Sequence, residues 1–385
     1  MAKLLSGKRR RAQRAATAVP VLSLVWLGLF GLPMAGCKDP LTEPALPVVA
    51  PSEEASVLVV INQNSPESME IGSYYARKRN IPKENVVFIN VQKDEEIGFS
   101  TYLEKIEGPV KDAIKKKKTP TDYIVLTRGT PIRIAGQGYS VDGQLVTMDK
   151  TLAPIGELNE EEIRRCQNPY LNADEPFSRQ KFGIYLVTRL TGYSVADAKG
   201  LVDRSLAAKP DKGPFFFDGA DNRRTEGYGQ MQGLMVEANS ILRGKGFDSN
   251  YDDTAPFLAP AESLMGYCSW GSNDGAFDRG TYNKLKFKPG SIAETYVSTS
   301  GRSFEKAVID SGGQSAVGDL IHQGLCGVKG YVSEPYTFAL ARPEILFARY
   351  TSGRNLAESF YAASQVIKWK DMVIGDPLCR PYAKR

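Results

Sequence analysis

Three carboxylates stand shortly after apolar runs of the sequence, the position at which open α/β sheets place their functional groups. They are Asp218, Asp274 and Glu334. A carboxylic acid can protonate a leaving group while a carboxylate activates water, and this chemistry needs no histidine. The sequence therefore offers these three residues as candidates for catalysis in a hydrolase.

Other polar and aromatic residues follow apolar runs in the same way. We predict that they line one ligand crevice together with Glu334: Arg128, Arg133, Arg189, Trp270, Asn273 and Asp376. Each also has a structural alternative, since an arginine can pair with a carboxylate, an aspartate can cap a turn and a tryptophan can pack beneath a loop. The ligand or protein partner of the crevice is not identified by these residues.

The chain has one histidine, His322. A serine or cysteine nucleophile that depends on histidine must use it, so a Cys268–His322 pair assembled by folding is one hypothesis. The alternative is that His322 only ends a helix. A site of several histidines is impossible, and the GxxxxGK[ST] and GxGxxG phosphate-binding patterns do not occur where they would be needed. We therefore predict no metal and no cofactor.

The elements that must position these residues are predicted from alternating patterns. Apolar, β-branched runs at 57–61, 86–89 and 123–127 are separated by stretches with helical periodicity. Right-handed crossovers turn this order into a mostly parallel sheet with helices on both faces, an α/β fold. Later runs continue the pattern, at 184–187, 214–217, 264–268, 292–297 and 327–332.

The α/β body is predicted to span residues 56–385. Between about 135 and 181 the sequence is polar and has no sustained period, so we expect an irregular excursion there. The length leaves open whether the body is one large unit or two coupled α/β subdomains.

The formal charge of +5 is unevenly distributed along the chain. Residues 1–36 contain six bases and no acid, which leaves 43 bases against 44 acids in the remainder. A net charge argues for a polyanionic partner only where it belongs to the folded body. We therefore predict no nucleic-acid partner.

The basic residues precede an uncharged apolar segment, which is the order of an export signal over residues 1–36. The segment ends in Ala-Gly-Cys at Cys37, and this ending resembles the lipidation site of bacterial lipoproteins. A plain uncleaved membrane anchor is the alternative, because the uncharged run is long enough to cross a bilayer.

Residues 37–55 are rich in proline and suit an extended tether. We predict an exported protein that is anchored through lipid on Cys37 at the periplasmic or extracellular face of a membrane.

Several segments, in this order, resemble a family of bacterial exported proteins to which no activity is assigned: DYIVLTRGTPIRI, GIYLVTRL, GYCSWGSND, GYVSEPY and VIGDPLCRPY. The layout is also distantly similar to gingipain-type cysteine peptidases of the caspase-like fold. The segments at 188–190 and 375–377 fit that pattern. Where it requires a His-Gly turn this chain has Ser269-Trp270-Gly271, and where it requires the cysteine it has Ser298-Thr299-Ser300.

The second resemblance implies a caspase-like fold without the histidine–cysteine pair. Without a base, a thiol or hydroxyl is a weak nucleophile near neutral pH. We therefore predict a membrane-tethered binding or interaction protein without catalysis; the alternative is a hydrolase that uses the crevice carboxylates.

Overall fold

The structure is a computed structural model that describes residues 52–383. The predicted export signal, Cys37 and the tether up to residue 51 lie outside the described residues. The short 3-10 turn Glu53–Ser56 leads into the first strand and is held to the body, because Arg380 pairs with Glu53 at 2.7 Å.

Twelve strands are described, and ten of them form one sheet. In chain order they are β1 (Val57–Asn62), β2 (Val86–Ile89), β3 (Glu96–Ile97), β4 (Tyr123–Thr127), β5 (Arg133–Ile134), β6 (Leu186–Leu190), β7 (Phe215–Asp218), β8 (Ser249–Asp252), β9 (Ser263–Ser269), β10 (Lys286–Thr295), β11 (Gly327–Tyr331) and β12 (Asp371–Gly375).

The ten-stranded sheet has the order β2-β1-β4-β6-β12-β11-β10-β9-β7-β8, and β3 pairs with β5 in a small separate sheet. The pairs among β2, β1, β4 and β6 are parallel, as are those among β11, β10, β9, β7 and β8. Strand β12 lies between the two groups and is antiparallel to β11. The predicted α/β fold with a mostly parallel sheet is confirmed.

The helices lie between the strands. They are α1 (Pro66–Lys78), α2 (Phe99–Tyr102), α3 (Gly108–Lys116), α4 (Val141–Leu145), α5 (Glu160–Arg165), α6 (Arg179–Phe182), α7 (Val195–Ala207), α8 (Glu226–Gly244), α9 (Arg279–Tyr282), α10 (Lys306–Asp310), α11 (Val317–His322), α12 (Pro343–Thr351) and α13 (Leu356–Ala363). A π-helical turn, Leu103–Glu107, joins α2 to α3. None of the helices in 52–383 combines the length and apolar character needed to cross a bilayer.

The first strand and helix show how the sequence sets these elements. All six residues of β1 are buried, as its unbroken apolar run predicts for a strand covered on both faces. Ser65 caps α1 by accepting a hydrogen bond from the Ser68 N–H, and Pro66 occupies the first helical position. The capped turn fixes the direction in which α1 leaves the sheet.

Gly129 follows β4 and packs against this cap. Its φ is +85°, and a β-carbon there would overlap the Ser65 hydroxyl. We expect Gly129→Ala to lower the free energy of unfolding by about 2–3 kcal/mol, through the left-handed backbone and the disturbed cap. Urea unfolding measures this, with Gly98→Ala as the matched control, because nothing lies within 4 Å of that β-carbon. Equal stability of the two variants would contradict the argument.

Some elements departed from the sequence pattern for identifiable reasons. Strand β8, Ser249–Asp252, is a polar strand at one margin of the sheet, so it has no apolar run. Helix α12 is buried on almost all sides and therefore lacks the amphipathic period by which helices are recognised. Strand β10 begins at Lys286, earlier than predicted; its pairing with β9 shifts register between Phe287 and Ile292, where Lys288-Pro289-Gly290 interrupts the apolar run.

The predicted excursion contributes no strand to the ten-stranded sheet. It is nevertheless tied to the body: residues 139–148 are buried, and α4 lies within this stretch. Tyr185 N–H donates to Val146 O at 2.9 Å, which joins the segment to the beginning of β6. Residues 139–148 of the excursion thus cover the body, whereas most of 149–165 is exposed to solvent.

Candidate functional site

A cavity of about 480 Å³ lies where β9, β10 and β11 end. We call it the aromatic cleft. Its lining includes four aromatic side chains and several polar ones: Tyr228, Trp270, Tyr296, Tyr336, Arg223, Glu226, Asn273, Ser298 and Glu334. Three predicted crevice residues, Trp270, Asn273 and Glu334, therefore lie together.

The floor of the cleft is a packed pair of rings. Trp270 is 2% exposed and meets Tyr296 edge-on, with ring centroids 4.9 Å apart. Its indole N–H donates to Gln232 Oε1 at 2.9 Å, and the same oxygen accepts from the Ala220 N–H. Trp270 therefore has a structural role beneath the cleft, because its only polar group, the indole N–H, is already hydrogen-bonded within the protein.

Asn273 locks the ends of two strands together. Its side-chain amide donates to Tyr296 O at 2.7 Å, and its Oδ1 accepts from Gln314 at 3.1 Å. Its backbone carbonyl accepts from Arg223 Nε at 2.8 Å. Asn273 positions the wall of the cleft through these bonds.

The rim carries the accessible aromatic surface. Tyr228 is 43% exposed and Tyr336 is 44% exposed. The Arg223 guanidinium lies 4.8 Å from the Tyr228 ring centroid, within the range of a cation–π contact. These side chains offer a flat apolar surface and a cation to a bound molecule.

Two rim residues also have unusual backbones. Tyr336 has φ +62° and Glu226 has φ +51°, values that non-glycine residues rarely adopt. Such conformations cost about 1–3 kcal/mol each and concentrate at binding and catalytic sites. Glu334 Oε1 accepts from the Tyr336 N–H at 3.0 Å and so supports one of the strained turns.

The other two candidate carboxylates, Asp218 and Asp274, are buried and do not line the cleft. Asp218 is 1% exposed, and no side chain among the described residues donates a hydrogen bond to its oxygens. Burial raises its pKa to about 8, and the neighbouring Asp274 and Asp252 carboxylates add to the effect. Asp274 accepts from the Ala276 N–H, and burial raises its pKa as well.

Arg128 belongs to a second cavity, of about 520 Å³, at the end of β4. It is held there by two carboxylates, at 3.1 Å from Glu67 and 2.9 Å from Glu305. It also donates to the carbonyls of Gly192 and Phe304. Arg128 therefore fastens three segments around this cavity.

Arg189 and Arg133 are likewise engaged. Arg189 is buried against Asp142 at 2.6 Å and also lines the second cavity. Arg133 pairs with Glu96 at 2.5 Å and donates to Val332 O at 3.2 Å. Both arginines therefore pair with carboxylates, as the alternative to ligand binding predicts.

Asp376 lies away from both cavities. It is completely buried and pairs with Arg79 at 2.6 Å, while Tyr75 OH donates to it at 3.1 Å. Both partners belong to the end of α1. We predicted its position from the carboxyl ends of parallel strands, but β12 is antiparallel to β11, so that expectation was wrong.

Folding does not pair Cys268 with His322. Cys268 is buried within β9, where burial raises its pKa well above the usual value. His322 is mostly exposed at the end of α11, and its Nδ1 lies 3.0 Å from Asp197 Oδ1. No hydrogen bond joins the two residues within 52–383, and the four cysteines in that range are free and buried.

No group of three or more histidine, cysteine, aspartate or glutamate side chains within residues 52–383 is arranged to hold a metal ion. The site residues that the sequence did not reveal are Arg223, Glu226, Tyr228 and Tyr296. Arg223 lies between β7 and α8, and Glu226 and Tyr228 lie in the first turn of α8; their position just after a strand is the one signal that could have indicated them.

Comparison with known proteins adds little to this geometry. No protein-family model matches the chain, and no curated protein matches it. A solved structure described as "Structure of Protease" is similar with a TM-score of 0.46 and 11% identity, covering 86% of this chain and 79% of that chain. So distant a likeness assigns no activity, and the family resemblances drawn from the sequence stay predictions.

Proposed function

We propose that this protein is an exported binding protein, tethered to a membrane through lipid on Cys37, that holds its ligand in the aromatic cleft without catalysing a reaction. The tether is proposed from the basic, apolar and Ala-Gly-Cys order of the first 37 residues. The binding role is proposed from the cleft.

One observation carries the binding role. The cleft combines two half-exposed tyrosines at its rim with two non-glycine residues of positive φ, over a floor of packed rings. Strained backbone persists where the surrounding structure holds it, most often at sites that recognise a ligand. An apolar cavity with a few polar groups is also the usual form of a binding site.

The absence of catalysis is supported by the side chains that line the cleft. Trp270 and Ser298 line it, and they belong to the segments where the caspase-like pattern would require histidine and cysteine. Trp270 and Asn273 already use their polar atoms for internal hydrogen bonds. We propose that the cleft is a peptidase-like groove without a nucleophile–base pair, and that it binds extended peptide segments bearing an apolar side chain.

The test is a binding screen with fluorescent short peptides, read by anisotropy. We expect Tyr228→Ala and Tyr336→Ala each to weaken binding by about tenfold, the loss typical of an aromatic contact at the centre of an interface. Phe99→Ala is the matched control, because Phe99 is 49% exposed but does not line the cleft. Unchanged affinity in both tyrosine variants, with binding retained, would overturn the assignment.

The second candidate function is hydrolysis by carboxylates, and the pKa of Asp218, near 8, favours it. A carboxyl group that is protonated near neutral pH can serve as a general acid. Because Asp218 is almost fully buried, this mechanism requires an opening of the loops above β7. Turnover of peptides or esters that disappears in both Asp218→Asn and Glu334→Gln, with folding retained, would establish this alternative.

A further inference from the structure

The parallel strands of the sheet begin along one side of the molecule and end along the opposite side, and contacts between distant segments identify each side. After β12 the chain runs along the side where strands begin: Arg380 pairs with Glu53, which precedes β1, and Tyr382 OH donates to Asp211 O, which precedes β7, at 2.8 Å. Only one residue lies between Arg380 and Tyr382, so β1 and β7 begin on the same side. We call it the amino side.

On the opposite side, hydrogen bonds join segments that follow different strands. Arg128, after β4, donates to Phe304 O, after β10, at 2.9 Å. Arg133 similarly reaches Val332 O, directly after β11. We call this the carboxyl side, and the aromatic cleft lies on it.

The amino side carries an exposed basic surface. Its members lie in the last turns of α1, α3 and α8 and in the connections from α1 to β2, α3 to β4, α7 to β7 and α8 to β8: Arg77, Lys78, Lys83, Lys115, Lys116, Lys118, Lys209, Lys212, Arg243 and Lys245. The exposed acids of the same helix ends and connections are Glu84 and Asp248, and Glu53 and Glu262 are exposed directly before β1 and β9 on this side. Within the described part of the chain, Lys83, Lys116, Lys118 and Lys209 form no ion pair.

The carboxyl side has the opposite balance. Counted up to the first residue of the following helix, its exposed acids are Asp94, Glu96, Asp221, Glu226, Asp253, Asp278, Glu305 and Glu334, whereas Lys93, Arg224 and Lys306 are the exposed bases. A body that is nearly neutral in total is therefore polarised across the sheet.

The polarity has a local cause. Cations are favoured at helix C-termini and anions at N-termini, because the helix dipole is negative at its C-terminus. In an α/β fold each helix returns the chain to the side where the next parallel strand begins. The local preference, repeated in each connection, accumulates into a basic surface on one side of the molecule.

Two further features orient this surface. The chain enters the body on the amino side, since the turn Glu53–Ser56 leads directly into β1. Lys116, Lys117 and Lys118 also line a cavity of about 420 Å³ with Glu84 and Asn85. A cavity lined by three lysines can accommodate an anionic headgroup.

We propose that the amino side is a docking surface for anionic phospholipid headgroups, so that the tethered body rests on the bilayer with the aromatic cleft turned outward. Juxtamembrane lysines and arginines are attracted to anionic lipid, and the attraction falls off within a Debye length. The orientation rests on the proposed membrane tether, whereas the charge complementarity does not.

The experiment places single fluorophores on the two sides of the full-length lipidated protein in vesicles. Gly244→Cys labels the amino side and Gly98→Cys labels the carboxyl side; both β-carbons face open space, and the native cysteines of the body are buried. Energy transfer to headgroup-labelled lipid is measured in phosphatidylcholine vesicles, with or without about one-third phosphatidylglycerol.

We expect transfer from position 244 to exceed transfer from position 98 in anionic vesicles, because the two sides are a strand length of about 17–20 Å apart. The difference should shrink in neutral vesicles, at high salt, and in the Lys116→Glu/Lys118→Glu variant. Equal transfer from both positions in anionic vesicles, or a difference indifferent to salt and lipid charge, would overturn the proposal.

Flotation of the protein with vesicles distinguishes the absence of the lipid tether from the absence of the docking surface. If neither the native protein nor Cys37→Ser floats with neutral vesicles, the tether is absent, and docking is then read from salt-sensitive capture by anionic vesicles. At about fivefold per lysine, the double charge reversal should weaken that capture by at least about twentyfold. Capture that is unaffected by the reversal would refute the docking surface.

Discussion

Replacing Arg189 by methionine is expected to lower the free energy of unfolding by about 3–5 kcal/mol, one of the largest effects that a single substitution can have on this protein. The guanidinium and the Asp142 carboxylate are each about 2% exposed or less. Two hydrogen bonds join them, at 3.2 and 2.6 Å, and Arg189 also donates to the carbonyls of Thr130 and Pro131. Without the arginine, the Asp142 charge would be buried and unpaired.

A double-mutant cycle identifies the cause. If the loss comes from the stranded carboxylate, then adding Asp142→Leu to Arg189→Met should recover part of it, because two apolar side chains leave no unpaired charge. Arg224→Met is the matched control, since Arg224 pairs with Asp221 and Asp253 while 42% exposed. Its loss should be below about 1 kcal/mol. Chemical unfolding that finds the two arginine substitutions equal would contradict this account.

The free energy of unfolding is expected to fall by several kcal/mol as the pH rises from about 5 to about 8. Burial raises the pKa of Asp218 to about 8, and burial raises the pKa of Glu294 to about 8 despite Lys329 and the Tyr331 hydroxyl, which favour its charged form. In the unfolded chain both groups lose their protons near pH 4.

The direction of this pH dependence follows from the number of protons that the folded and unfolded states bind. Between the unfolded and folded pKa values the folded protein holds more protons, so stability is full below the unfolded pKa and is lost as the pH approaches the folded pKa. Each group contributes up to about 1.4 kcal/mol per pH unit. Asp218→Asn and Glu294→Gln should each flatten the profile, whereas Thr295→Val, a buried neighbour that does not ionise, should leave it unchanged. A profile that stays level or rises from pH 5 to 8 in the native protein would refute the prediction.

Local patterns predicted most of the fold. The buried run at 57–61 and the Ser65–Pro66 cap are signals that a strand and a helix carry in their own residues, and both elements form where expected. Strand β8 and helix α12 were missed, since one is polar and the other is buried on almost all sides. A polar strand has no apolar run, and a helix that is buried on almost all sides has no apolar stripe, so neither element shows the pattern by which its type is recognised.

The candidate site was predicted only in part. Trp270, Asn273 and Glu334 follow β9 and β11, and they meet because those strands share a side with β10 between them. Arg128 and Arg189 line the other cavity, and Asp376 lies against α1. Tyr228, in the first turn of α8, and Arg223, just before that helix, also line the cleft, and nothing in their local sequence indicates which strands they meet there.

The sequence by itself determined most of the strands and helices, which polar groups follow them, and that no histidine-based site of several ligands exists. Only the tertiary structure decided which strand ends are neighbours. It separated one predicted crevice into two cavities and gathered the basic helix ends onto one side of the body. Sheet order and strand direction depend on pairing between residues far apart in the chain, and local sequence constrains such pairing only weakly.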